Sequence, residues 1–412
     1  MMDWKGAYAH RAGAMRASEI RELLKLLDQP DVLSFAGGIP DPTLFPTEAA
    51  REAYGAVLGE PGVGPLSLQY SISEGYVPLR RWIVAHMASR GVVCDEENIV
   101  ITSGSQQGLD YLGKLLISPG DSAYVTRPTY LGALQAFNPY EPRYADLAFG
   151  EGAPTPAQCR EAALAAGGRP ALAYVVPDFA NPTGETLSRE DRLRLLEHVS
   201  ALGVPLVEDA AYAALRYAGA DIASCLALDI ARVGDIDHSR VIYCGSFSKT
   251  IAPGLRVGWI CAARDLVQKV VLTKQAADLH SATINQMVMH RLAEAIYDEQ
   301  VKKIIGVYAA RRDALLAALA KFMPEGVSWT APEGGMFVWV TLPANIDGAE
   351  LLAESLRDER VAFVPGGAFF FDGSGANTLR LNFSLPSEAV INEGIARLAR
   401  LIARKNNQFR AA

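Results

Sequence analysis

Cysteine is scarce in this chain of 412 residues. The five present (Cys94, Cys159, Cys225, Cys244 and Cys261) are odd in number, far apart and without a CxxC pair. That pattern excludes a disulfide framework and a cysteine-built zinc site, and it predicts reduced thiols in a cytoplasmic protein. The six histidines (His10, His86, His198, His238, His280 and His290) show no spacing that specifies a metal. Positive charge is also short: 39 Lys and Arg stand against 46 Asp and Glu, a formal net charge of −7. A broad nucleic-acid surface would need clustered Lys and Arg, so no nucleic-acid partner is expected. No apolar run approaches membrane-spanning length, and residues 1–21 mix charges and small side chains without an apolar core. Neither a membrane span nor a signal peptide is expected. Repeats and low-complexity tracts are missing as well. What is plentiful is apolar residues, 50% of the chain, enough for two domains or one large domain with an extension.

Along the chain, Ile20, Leu23, Leu24 and Leu27 fall at i, i+3, i+4 and i+7, which predicts a short amphipathic helix over 18–27 with Pro30 just beyond it. A short strand near Leu33 breaks into Gly37-Gly38-Ile39-Pro40, and the Gly/Pro-rich stretch 60–65 reads as a loop leading to Leu68-Gln69-Tyr70-Ser71. From Asn98 a rhythm sets in. Short apolar runs at 99–102, 123–126, 171–176, 204–207, 241–243 and 256–261 alternate with helical patterns. One of these helices opens with Ser188 and Asp191 spaced as a capping pair and stops at Gly203. The rhythm predicts an α/β fold with a mostly parallel sheet covered by helices on both faces. A long helix over 300–322 then bridges to a smaller α+β domain with strands at 336–340, 361–364 and 379–383 and a closing helix over 387–405. Each polar cluster falls at the carboxyl end of its strand, where open α/β sheets bind ligands.

The stretch Cys244-Gly245-Ser246-Phe247-Ser248-Lys249-Thr250 follows the apolar Val241-Ile242-Tyr243, and Arg256 opens the next apolar run. A lysine at a strand end among hydroxyls and one arginine suits an amine that condenses with a carbonyl cofactor, while Ser246, Ser248 and Arg256 hold a phosphate. Alone, the stretch equally describes a surface lysine after a strand. Ser105 and Gln106 open a helical pattern whose free N–H groups and dipole suit a phosphate; Ser103 reads as an N-cap serine. Arg380 lies within an alternating strand, where an inward arginine demands an anion. The segment from Gly108 to Lys114 has Walker A glycine spacing, but Leu115 stands where Ser or Thr is required and the segment reads as helix interior.

The lysine stretch, Asn181-Pro182-Thr183-Gly184, Asp209 with Tyr212, Ser103-Gly104-Ser105-Gln106 and Arg380 together resemble the pyridoxal-phosphate (PLP) aminotransferases of fold type I, class I/II. Within them the chain is most similar to the kynurenine/2-aminoadipate branch, from about Arg21 to the C-terminal helix. The resemblance implies that Lys249 links PLP as a Schiff base and then moves the proton, and that Asp209 pairs with the protonated pyridine nitrogen. It implies that Tyr212 and Asn181 reach the phenolic oxygen and that Tyr130 stacks on the ring. Ser105, Gln106, Ser246, Ser248 and Arg256 complete the cofactor contacts. Arg380 is implied to fork onto the substrate carboxylate, with Asn181 and Gly38 also at the substrate and Arg21 at the mouth of the site. Tyr70 is implied to cross a homodimer interface to the partner's phosphate. Asn181-Pro182 also reads as an ordinary turn, and both descriptions hold if the turn aims the amide. The chain departs from the branch it resembles in reading Asp209-Ala210-Ala211-Tyr212, where Asp-Asp-Pro-Tyr is common, and in Ala180, where a polar side chain is usual.

These implications give a transaminase acting by a ping-pong mechanism. An aromatic, large apolar or 2-aminoadipate-like amino acid is the donor, and 2-oxoglutarate the acceptor. The same PLP site is also open to β-elimination or decarboxylation. A third possibility is the aminotransferase-like effector module of a transcription regulator, against which the short, weakly basic leader argues. The implied layout is an arm over 1–29, a small domain over 30–46 and 300–412, and a large PLP-binding domain over 47–299.

Overall fold

The computed structural model describes residue 2, residues 4–15 and residues 31–411. The helix expected over 18–27, and Arg21 with it, lies outside the described residues.

The β-branched and apolar runs assemble into one seven-stranded sheet. Its order is Ile99–Thr102, Gly258–Cys261, Val241–Ser246, Leu206–Asp209, Pro170–Val175, Ser122–Val125 and Arg143–Asp146. Four of the six pairings are parallel; the two made by Gly258–Cys261 are antiparallel. Successive side chains alternate between two cores. Ile99, Ile101, Ala173 and Val175 join a core on one face, and Val100, Leu172 and Tyr174 join the core on the other. Burial on both faces explains why these strands are continuously apolar rather than alternating.

Helices fill the crossovers and are capped as the sequence suggests. The Ser188 hydroxyl accepts from the Asp191 N–H at 3.1 Å at the start of Arg189–Leu202, and Gly203 closes that helix in the left-handed region at φ 83°. Three details differ from expectation. The 60–65 stretch is not all loop, because a short helix, Val63–Ser67, grows out of it behind Gly62 at φ 82°. The long helix spans Thr283–Phe322, 40 residues, and starts well before residue 300. Its first turns pack Met287, Val288 and Leu292 into one core while Ile304, Tyr308 and Leu315 enter the other, so no single apolar stripe runs along it. Ser103 does not cap the helix Ser105–Leu116. Gly104 takes the cap position at φ 81° and offers no side chain.

The second sheet is antiparallel, ordered Val364–Pro365, Thr378–Asn382, Phe337–Thr341 and Ser328–Trp329. The strand Leu33–Ser34 pairs in parallel with Val361–Ala362, and the Asn382 N–H donates to the Phe35 carbonyl at 2.9 Å. Asp41 accepts from Arg311 Nη2 at 2.7 Å. The Gly37–Gly38 segment is thereby held across the carboxyl end of the large sheet, against Arg380. Among the described residues no helix is long and apolar enough to cross a membrane.

Candidate active site

Asp209 ends its strand, and the pleat sends neighbouring acids to opposite faces. Glu208 turns away and accepts from the N–H groups of Cys225 and Leu226 at 2.8 and 2.9 Å, at the head of the helix Cys225–Val233. Asp209 turns towards the cleft. Its Oδ2 accepts from the Tyr174 hydroxyl at 2.8 Å, whereas its Oδ1 is buried and has no partner among the described residues. Burial pushes the Asp209 carboxyl up to about 6, against the pull of Tyr174, the Ala211 N–H and Lys249. A buried carboxylate oxygen without a donor is costly, and it marks where a cationic or N–H group belongs.

Lys249 lies three residues past the end of the strand Val241–Ser246. Its side chain keeps partial access from the cleft, and its Nζ donates to the Gly38 carbonyl at 3.0 Å. The ammonium also stands 5.9 Å over the Tyr212 ring. Burial pulls its pKa down to about 8, assisted by the Arg380 and Arg256 charges and opposed by Asp209. An amine with a pKa near 8 keeps roughly a tenth to a fifth of its population neutral and nucleophilic near pH 7, far more than an ordinary lysine does.

Below Lys249 the chain forms a cup. The Ser246 hydroxyl accepts from the Ser248 N–H at 3.0 Å and donates to the Ser248 hydroxyl at 2.8 Å. Arg256, in the left-handed region at φ 53°, sends Nη1 to the Pro253 carbonyl at 3.1 Å and Nη2 to the Ser103 carbonyl at 3.2 Å. A Cβ at Gly104 would collide with the Arg256 guanidinium, so the glycine is required for this approach. Ser105 and Gln106 open the helix beside the cup, and Gln106 Nε2 donates to the Gly132 carbonyl at 2.7 Å. That bond anchors the turn carrying Tyr130, the residue before the helix Leu131–Phe137. Hydroxyls, a guanidinium and a helix N-terminus together can hold a phosphate dianion.

Opposite the cup lies Arg380, 2% exposed. Leu379 and Leu381 enter the core, which leaves Arg380 on the other face of its strand, opposite Trp339 and diagonal to Phe337. The guanidinium lies 4.3 Å over the Phe337 ring and 5.1 Å from that of Phe369. Nη1 donates to Asn181 Oδ1 at 2.8 Å, and Nη2 to the Ala36 and Gly37 carbonyls at 3.0 and 3.2 Å. Nε is buried without a partner among the described residues. Burial pulls this guanidinium down to about 10. A Cβ at Gly38 would stand in van der Waals contact with Phe337 at 3.4 Å and with Arg380 Nη2 at 3.6 Å. Asn181 also bonds the Tyr212 hydroxyl, whose pKa burial raises far above the phenol range.

Lys249, Asp209, Tyr212, Asn181, Arg380 and Gly38 therefore share one cleft, with Ser246, Ser248, Arg256 and Ser105 at its floor. Tyr70 stands apart. It is 79% exposed, with the His280 ring edge-on at 5.9 Å. Sequence reasoning overlooked Tyr174. The signal was present but needed strand pairing: Tyr174 is in register with Val207, two residues before Asp209 on the same face. Phe337 was read only as part of the strand at 336–340, and Phe369 was not singled out.

The aminotransferase class I and II family model matches residues 38–398. Aromatic-amino-acid aminotransferase 1 of Thermococcus litoralis is 42% identical over 406 residues, covering 97% of this chain and 95% of that protein. Among solved structures, an α-aminoadipate aminotransferase from Thermus thermophilus, complexed with N-(5'-phosphopyridoxyl)-L-leucine, is 40% identical with a TM-score of 0.87. The match covers 99% of this chain and 100% of that one. A Pyrococcus horikoshii kynurenine aminotransferase gives 40% identity and a TM-score of 0.89, covering 98% of both chains. The chain belongs to the class I and II aminotransferases, PLP-dependent enzymes of fold type I.

Proposed function

We propose that this aminotransferase moves the amino group of an aromatic, large apolar or 2-aminoadipate-like α-amino acid to 2-oxoglutarate, in two half-reactions of a ping-pong cycle. The observation that carries the site assignment is the pair of orphaned buried atoms, Asp209 Oδ1 and Arg380 Nε, with the Lys249 amine between the elements that hold them. The donor class is supported by the aromatic, α-aminoadipate and kynurenine aminotransferases at 40–42% identity.

The residues fit PLP. Asp209 Oδ1 would accept from the pyridinium N–H; Ser246, Ser248, Arg256 and the N-terminus of Ser105–Leu116 would hold the phosphate. Asn181 and Tyr212 would meet the phenolic oxygen, and Tyr130 would cover the ring. Bound there, PLP supplies a carbonyl for amine exchange and an electron-poor ring that acidifies the substrate Cα–H. Lys249 would hold the cofactor's carbonyl carbon and, as a free amine, would take and return the Cα proton. Asp209 keeps the ring nitrogen protonated by remaining ionised beside it. Arg380 binds the α-carboxylate, while Asn181 and the Ala36 and Gly37 carbonyls fix the guanidinium so that little ordering remains to be done on binding. Arg21, on the arm, is assigned to the donor's distal end.

Residues 47–299 form the cofactor domain in this reading, 30–46 and 300–412 the small domain, and 1–29 the arm. The protein works in the cytoplasm as a homodimer. The exposed Leu66, Leu68, Tyr70 and Ile72 form the strip that a second copy covers, and Tyr70 reaches the partner's phosphate. The test is a half-reaction screen in which PLP-form protein is mixed with single amino acids and its conversion to the pyridoxamine form is followed by absorbance. Rapid conversion by aromatic amino acids or 2-aminoadipate, reversed by 2-oxoglutarate, is expected. No conversion by any of them would sink the assignment.

A further inference from the structure

One buried charge has no part in the chemistry above. Lys274, in the helix Arg264–Ala277, is 1% exposed, although lysine is seldom buried unless it is paired. Its Nζ donates to both Asp278 oxygens at 3.0 Å, to Ser281 Oγ at 3.0 Å and to Gln107 Oε1 at 3.2 Å. Asp278 neutralises the ammonium and accepts in turn from Gln107 Nε2 at 2.8 Å and the Tyr111 hydroxyl at 3.1 Å. The two other partners of Lys274 converge on one residue. Gln107 Oε1 accepts from the Ser103 N–H at 2.7 Å, and Ser281 Oγ lies 3.1 Å from Ser103 Oγ. The remaining polar group of Ser103, its carbonyl, accepts from Arg256 Nη2 at 3.2 Å. Every hydrogen-bonding group of Ser103 is thus committed: two to the Lys274 cluster, the third to the guanidinium of the cup. Ser103 is followed by Gly104 and by Ser105, the first residue of the helix that borders the cup.

We propose that Lys274 is a positioning residue for the cofactor's phosphate. Through Gln107 and Ser281 it fixes the Ser103 peptide, and through that peptide it sets the Arg256 guanidinium and the leading N–H groups of helix Ser105–Leu116. The pair it forms with Asp278 is neutral, so its contribution is orientation of the cup rather than added field. Ordering the donors before binding removes an entropic cost that the phosphate would otherwise carry. The inference rests on the reading that Arg256, Ser246 and Ser248 bind phosphate.

The test compares PLP with pyridoxal, which has the aldehyde and ring but no phosphate. Both are titrated into the full chain stripped of cofactor, in the parent, Ser281→Ala, Lys274→Met and Arg256→Ala proteins. Ser281→Ala and Lys274→Met are expected to weaken PLP about tenfold or more while leaving pyridoxal within about twofold, the loss of one hydrogen bond in a charged chain. Equal weakening of PLP and pyridoxal would show a merely structural role and overturn the proposal. So would unchanged PLP binding in Ser281→Ala, which removes a single hydroxyl and keeps the proposal testable if Lys274→Met does not fold. If Arg256→Ala alone loses the preference for PLP, only this inference fails. If Arg256→Ala keeps that preference, the phosphate cup itself is misplaced.

Discussion

Arg380 gives the sharpest quantitative test. A guanidinium has five N–H donors, and among the described residues protein oxygens occupy at most three: one on Nη1 and two on Nη2. At least two donors stay unspent, Nε–H among them, and a carboxylate has two oxygens to offer. Phe337 and Phe369 cover the guanidinium from the side, so only its edges are available. Truncating one partner of a buried charged pair costs about 2–5 kcal/mol, or roughly 30- to 5,000-fold in kcat/KM for Arg380→Ala. Arg380→Lys keeps the charge but loses the fork, and should fall between the parent and the alanine variant. The assay is the single-turnover half-reaction with an amino acid and with its decarboxylated amine. The parent should prefer the amino acid strongly; the alanine variant should lose most of that preference, while its slow reaction with the amine changes little. If both substrates lost the same factor, Arg380 would be supporting the fold of the cleft and not the carboxylate.

The other perturbations address the cofactor side. Lys249→Ala should lose the internal imine band, and borohydride should trap no cofactor on the chain; a trapped adduct at another lysine would relocate the linkage. Asp209→Asn should lower transamination at least about a hundredfold. Because ionised Asp209 raises the Lys249 pKa, the same change should move the midpoint for PLP capture by cofactor-stripped protein below its expected position near pH 8. A midpoint that stayed or rose would contradict the contact between the two charges. Lys249→Ala and Tyr70→Ala homodimers should each be impaired, yet their heterodimer should recover about one working site, with Lys249 from one chain and Tyr70 from the other. No recovery in verified heterodimer would place Tyr70 outside the partner's site.

Most of the sheet was legible because strands buried on both faces leave unbroken apolar runs; the run at 99–102 coincides with the strand Ile99–Thr102. The edge strand Arg143–Asp146 escaped notice because its half-exposed side chains carry no such signature. The start of the long helix was hidden for a related reason: its contacts rotate from one core to another, so periodicity fades along it. In the site, some residues stand out as local patterns, to which the family resemblance attaches roles. Lys249 with its serines, and Asn181 before proline, belong to this group. Tyr174 meets Asp209, 35 positions away, and Lys274 meets Gln107, 167 positions away. Their roles depend on strand register and helix docking, which no single stretch of sequence states.

The helix Thr283–Phe322 has a mechanical consequence. At 40 residues it is a rod roughly 60 Å long. It is clamped near its start by Met287, Val288 and Leu292 in one core, and from Ile304 and Tyr308 through Leu315 and Leu319 in the other. Any change of angle between the two sheets, and hence in the gap between Lys249 and Arg380, must be taken up as curvature of that rod. Gly306 sits in midspan, and among the described residues nothing lies within 4 Å of where its Cβ would stand. Alanine there would meet no obstacle and would favour the helix by about 0.8–1 kcal/mol. The glycine lies between Ile304 and Tyr308, within the span that the second core holds, so the rod's change of core falls N-terminal to it.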